Sequence, residues 1–143
     1  EILGQVLVLS AFLPVIMGMA GNVGVQSATV AVRGLATGAI DVRDTVPLVF
    51  KELRVGLVLG GFYGVILALY GYLMHNSLQL GQVVGLTILG NMTGAALLAV
   101  LLPMIFQRLK VDPAVATGPF VTTAIDILGV LNYFVIASWI YKL

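Results

Sequence analysis

The sequence predicts an all-α integral membrane protein, a helical bundle with four transmembrane helices and one short interfacial helix. Two observations carry this. Only 9% of the 143 residues are charged and 60% are apolar, whereas soluble domains average about 25% charged residues. The charges are also segregated: residues 2–32 and 55–107 contain no Asp, Glu, Lys or Arg. Runs of this length exceed a signal peptide's apolar region, and they lack the alternation of a transmembrane barrel strand. At about 20 residues per crossing, residues 1–143 form a single domain of four crossings joined by short turns.

The first crossing is expected over about 2–35, long and rich in glycine. A polar stretch, Asp41 to Arg54, follows, with Pro47 near the start of an interfacial helix over Leu48–Leu53. The second crossing covers about 55–74. The turn His75-Asn76-Ser77 leads into the third, about 80–106. A basic turn, Gln107 to Lys110, precedes Asp112-Pro113, and an Asp N-cap followed by proline is a strong helix-start signal. The fourth crossing is then 113–141. Glycines at four-residue spacing (Gly34/Gly38, Gly56/Gly60/Gly64, Gly81/Gly85, Gly90/Gly94) allow helix backbones to approach closely in lipid. Gly21-Asn22 and Gly90-Asn91 look alike, but two residues do not make a repeat.

Six of the seven basic residues flank the first and third connections (Arg33, Arg43, Lys51, Arg54, Arg108, Lys110), and Lys142 lies at the C-terminal end. By the positive-inside rule the first and third connections face the cytoplasm and the C-terminus lies outside. Glu1 opens the chain in an apolar context in place of Met, so sequence upstream of it is expected. Cysteine is absent, which excludes disulfides and thiolate metal sites. The net charge of +1 gives no footing for nucleic-acid binding.

Asp126 is the one charged residue in the fourth crossing. It lies about 20 Å along a straight helix from Pro113, in the outer half of a hydrocarbon core roughly 30 Å thick. Intramembrane acids are costly and mark ion paths. Val115, Gly118, Pro119, Thr122, Asp126, Gly129 and Tyr133 share one helical face. Pro119 deprives the Val115 carbonyl of a donor and tends to kink the helix. Carbonyl, hydroxyl and carboxylate oxygens are ligands that hard cations take. The competing reading is a carboxyl paired within the bundle, although no Lys or Arg lies at that depth. A second polar stripe, Gly18, Asn22, Gln26, Thr29 and Arg33, runs along the first crossing. Its amides suit either an ion's water shell or interhelical hydrogen bonding.

An enzyme is not expected. The only histidine, His75, lies in a turn, one buried acid cannot form a carboxylate dyad, and no zinc ligand cluster is present.

The two stripes together resemble the transmembrane domain of the MgtE family of magnesium channels. Pro14-Val-Ile-Met-Gly18-Met-Ala-Gly21-Asn22-Val-Gly24-Val-Gln26, running on to Arg33-Gly34-Leu35-Ala36, is similar to the Pro-x3-Gly-x2-Gly-Asn-x-Gly-x-Gln stretch in that family's second transmembrane helix. Asp112-Pro113-Ala114 with Pro119, Thr123 and Asp126 is similar to its last. The resemblance covers essentially the whole chain. It implies a homodimer in a prokaryotic inner membrane, with the pore at the interface between subunits and Mg2+ as the transported ion. It further implies that this chain lacks the family's first transmembrane helix and its cytosolic regulatory domains. Asp126, with the backbone at Thr122, would bind hydrated Mg2+. Asp112 would sit at the cytosolic mouth and take part in a regulatory metal site, and Asn22, Gln26, Gly118, Pro119 and Thr123 would line the pore. Gly118, where some relatives carry Asn, and Thr122, where Ala is common, depart from the pattern. The alternatives are a secondary divalent-cation transporter coupled to Na+ or H+, and a non-conducting scaffold subunit.

Overall fold

A computed structural model describes residues 2–142, with the side chains of residues 2–6, 116 and 117 outside the description. The expectation about Glu1 falls outside the described residues. Four helices are long and apolar enough to cross a membrane, and no strand occurs among the described residues. Helix α1 spans Ile2–Ala36, α2 Thr45–His75, α3 Leu78–Arg108, α4 Pro113–Thr117 and α5 Pro119–Tyr141.

Each boundary follows from local chemistry. Gly38, at φ +72°, takes the left-handed conformation that turns the chain after α1 and that side chains resist. Asp41 and Asp44 form a reciprocal capping box around the single 3-10 turn Val42–Asp44, and α2 follows directly. The short helix expected over Leu48–Leu53 is therefore continuous with the second crossing and supplies its first turns. Pro47 sits in the opening turn, where a missing N–H breaks no intrahelical bond. The left-handed Asn76 ends α2, and the Ser77 hydroxyl accepts from Leu80 N at 3.2 Å to start α3. The Asp112 carboxylate accepts from Ala114 N at 2.9 Å, and Pro113 opens α4, as the sequence signal indicated.

The fourth crossing departs from expectation. It is not one helix but two, broken at Gly118 with φ −64° and ψ −84°. Proline disfavours helical geometry in the residue before it, and a glycine at that place offers no resistance to leaving it.

Helix α3 is the hub. It packs on α1, α2 and α5 and is the most buried of the four spans. Two apolar clusters fill the bundle around it. The one nearer the Asn76 turn contains large side chains, including Leu9, Phe12, Ile16, Leu80, Ile88, Met92 and Tyr133. The other, nearer the basic connections, is built of Ala20, Ala28, Ala95, Ala99, Val121 and Ile125.

Helix α2 leans on α3 through a glycine seam. A Cβ at Gly56 would lie 2.7 Å from Thr93 Cα, at Gly60 3.0 Å from Leu89 Cα, and at Gly64 2.8 Å from the Gly85 carbonyl oxygen. Backbone therefore rests on backbone, the packing that replaces hydrophobic drive between helices in lipid. The opposite face of α2 presents Val58, Phe62, Val65, Leu69 and Leu73 outward, an apolar stripe at helical spacing. Gly64→Ala is expected to lower stability by about 1–3 kcal/mol through overpacking. Gly61→Ala, with nothing within 4 Å of the added carbon, should be neutral or stabilising. Denaturation of both variants in detergent micelles checks the pair.

Candidate functional site, a polar cleft between the first and last crossings

The two polar stripes meet. Met17, Gly18, Gly21, Asn22, Val25 and Gln26 of α1 and Thr122 and Asp126 of α5 line one cleft of about 510 Å³. Two contacts set this register. The Ile125 side chain occupies the space that Gly24 leaves empty, its Cδ1 only 2.0 Å from where a Cβ would stand. One turn further on, Gly129 lies so close to Met17 that an added Cβ would be 3.2 Å from its sulfur. With Ile125 and Gly129 turned inward, Asp126 is directed along the flank of α5 toward α1.

A third tie fixes α5 from behind. Asn91 of α3 is buried, and its amide donates to the Gly129 carbonyl at 3.2 Å. The Asn132 amide donates in turn to Asn91 Oδ1 at 2.8 Å. In a bundle without water each of these groups would be expensive alone; together they satisfy one another across the α3–α5 contact. Near the far end of the span, the Tyr133 hydroxyl donates to the Leu9 carbonyl, joining α5 to α1 again.

The cleft itself is left chemically open. The carboxylate of Asp126 and the amides of Asn22 and Gln26 form no hydrogen bond or ion pair among the described residues. No partner for the Asp126 carboxylate, as the competing reading requires, occurs among the described residues. Thr122 behaves differently: its hydroxyl donates to the Gly118 carbonyl at 2.8 Å. The proton is thus spent inside the helix, and the oxygen faces the cleft as an acceptor. Among the described residues no three His, Asp or Glu side chains gather closely enough to cage a metal ion.

The remaining sequence candidates fall elsewhere. Gly118 and Pro119 form the break at the base of α5, and Thr123 is exposed beside the cleft without lining it. Asp112 lies at the end of the bundle that carries the basic connections, in a separate cleft with Val32, Leu35, Gln107 and Lys110. Its carboxylate is engaged in capping α4.

Sequence reasoning missed two buried polar groups. One is the Asn91–Asn132 pair. The other is Glu52, 8% exposed, whose Oε2 accepts from the Ser27 hydroxyl at 2.7 Å. Glu52 belongs by sequence to the polar stretch Asp41 to Arg54, but it stands four residues before Gly56 and thus on the buried glycine face of α2. That spacing was the available signal.

Fold and site together define a class: a polytopic helical membrane protein with an acid-bearing polar cleft at membrane depth. Residues 13–136 match the family model MgtE, described as divalent cation transporter. The chain belongs to the MgtE family. Over 143 residues it is 38% identical to the magnesium transporter MgtE of Bacillus subtilis, covering 96% of this chain and 31% of that protein. Its identity is 42% to the protein of the same name from Enterococcus faecalis and 38% to that of Thermus thermophilus, each match covering 96% of this chain and 30% of the relative. The chain thus spans less than a third of the length of these relatives.

A double-mutant cycle on Asn91→Ala and Asn132→Ala is expected to give a coupling energy of about 0.6 kcal/mol, with about 1.7 kcal/mol as the upper end. Unfolding in detergent measures it, and strict additivity would show that the two amides do not act as a pair.

Proposed function

We propose that this chain is the membrane-embedded conducting part of a Mg2+ transporter, which carries the hydrated ion toward the cytoplasm through a pore between two copies of the chain. The observation that carries this is the cleft: one carboxylate and two amides without partners, held open at membrane depth by packing on either side. Membership of a divalent cation transporter family supports it, as do relatives named as magnesium transporters.

The cleft lies on the outside of a single bundle, and Asp126 is exposed there. A carboxylate facing lipid would be costly, which favours a second copy across a twofold axis. Two Asp126 side chains then share one cation, which offsets the repulsion between them. Asp112 and the basic connections face the cytoplasm in this reading, with the C-terminus outside. The pore-side roles of Gly118, Pro119 and Thr123 belong to the same reading.

Ligand chemistry and size favour a hydrated ion. Mg2+ demands octahedral coordination and sheds water reluctantly, and one chain supplies too few carboxylates to replace that shell. Six waters occupy roughly 180 Å³ at about 30 Å³ each, so the cleft of about 510 Å³ accommodates the ion with its shell. Asn22 and Gln26 can both donate to and accept from those waters, and Thr122 adds an acceptor. Binding through water is firm enough to select charge and loose enough for release, as conduction requires. A membrane potential contributes about 2.3 kcal/mol per charge per 100 mV, or about twice that for a divalent ion entering the cell.

Asp126→Ala is expected to reduce Mg2+ flux into liposomes to background while the dimer persists on size-exclusion chromatography. Undiminished selective flux would remove Asp126 from the mechanism. Flux that runs only with a Na+ or H+ gradient would identify a coupled transporter.

A further inference from the structure

Glu52 is a second acid inside the bundle, and the cleft does not use it. It lies in the second turn of α2, buried, one turn before the glycine seam. An apolar residue of similar size would serve stability as well or better than a buried carboxylate. Its presence therefore calls for a use that packing alone does not meet.

The backbones of α1 and α2 stay apart, because α1 packs on α3 and α5 while α2 packs on α3. Near the Asn76 turn the gap is bridged by ring edges, Phe12 standing 6.3 Å from both Tyr70 and His75. Nearer the basic connections the bridge is polar: the Ser27 hydroxyl donates to Glu52 Oε2 at 2.7 Å. Ser27 is the residue after Gln26 and lies little more than one turn beyond Asn22, the two amides that line the cleft.

At this level α1 presents small residues to its other neighbours, with Gly24, Ala28 and Ala31 buried. Helices resist rotation when ridges of side chains interlock; beyond the single Ile125 side chain seated at Gly24, a surface of glycine and alanine has low ridges. A 20° rotation carries a side-chain tip at about 5–6 Å radius through roughly 2 Å. That is enough to take Gln26 and Asn22 out of reach of a hydrated ion at Asp126. A hydrogen bond of 2.7 Å tolerates no such displacement.

We propose that Glu52 is a positioning residue for the cation cleft: through Ser27 it fixes the rotation of α1 and thereby the direction in which Asn22 and Gln26 face Asp126. This role rests on the reading of the cleft as a Mg2+ path.

The test is Mg2+ uptake by the intact protein in liposomes across a range of Mg2+ concentrations, for Ser27→Ala, Glu52→Ala, the double variant, Glu52→Gln and Asp126→Asn. One hydrogen bond sets the scale: Ser27→Ala and Glu52→Ala should each raise the half-saturating Mg2+ concentration by roughly three- to tenfold. The double variant should be no worse than the poorer single one. Glu52→Gln, which keeps an acceptor oxygen for Ser27, should recover most of the lost affinity. Unchanged half-saturation in Ser27→Ala overturns the proposal. So do additive losses confined to maximal flux, or a Glu52→Gln variant as impaired as Glu52→Ala. If Glu52→Ala does not fold, Ser27→Ala and Glu52→Gln decide the matter between them. Retained flux in Asp126→Asn would overturn the Mg2+ path and this role together, whereas lost flux there beside an unaffected Ser27→Ala would overturn the positioning role alone.

Discussion

The seating of Ile125 on Gly24 decides where the neighbouring carboxylate points. Helix α5 has one inward row, Val121, Ile125, Gly129, Tyr133 and Ala137, and each member sets the azimuth of the residue after it. Asp126 inherits its direction from Ile125. Were Gly24 an alanine, its methyl would meet Ile125 Cδ1 at 2.0 Å and the Ile125 side chain would have to give way. The cleft is thus a by-product of apolar packing one residue away, which suits a site whose own polar groups must remain uncommitted.

Amide side chains serve opposite purposes on the two sides of α5. Asn91 and Asn132 are closed on one another and on the Gly129 carbonyl, so they hold two helices together. Asn22 and Gln26 are left open. Composition and spacing do not separate these cases, since an asparagine after a glycine occurs in both. The difference lies in what stands across the contact: Asn91 meets a partner amide and a carbonyl, whereas Asn22 meets the void beside Asp126.

That contrast explains what was legible in the sequence. The four crossings were readable because hydrocarbon excludes charge, and the turns because Asn76, Ser77 and Asp112-Pro113 have specific backbone uses. Asp126, Thr122, Asn22 and Gln26 were legible as two stripes at helical period, and their convergence on one cleft follows from the α1–α5 contact. The break at Gly118 was foreshadowed only as a kink, because proline's effect depends on whether neighbouring helices hold the halves in line. Glu52 was hidden by its sequence neighbours: Lys51 and Arg54 made a polar stretch of it, although the glycine face continues through it. Thr123, placed in the pore by its motif, is set beside the cleft by the same rotation that aims Asp126.

The division of the core into a bulky half and an alanine half has a geometric outcome. Leucine, phenylalanine and tyrosine hold helix axes further apart than alanine does, so small-residue packing that lets α1, α3 and α5 approach closely belongs to the half nearer the basic connections, and bulky packing to the Asn76 end.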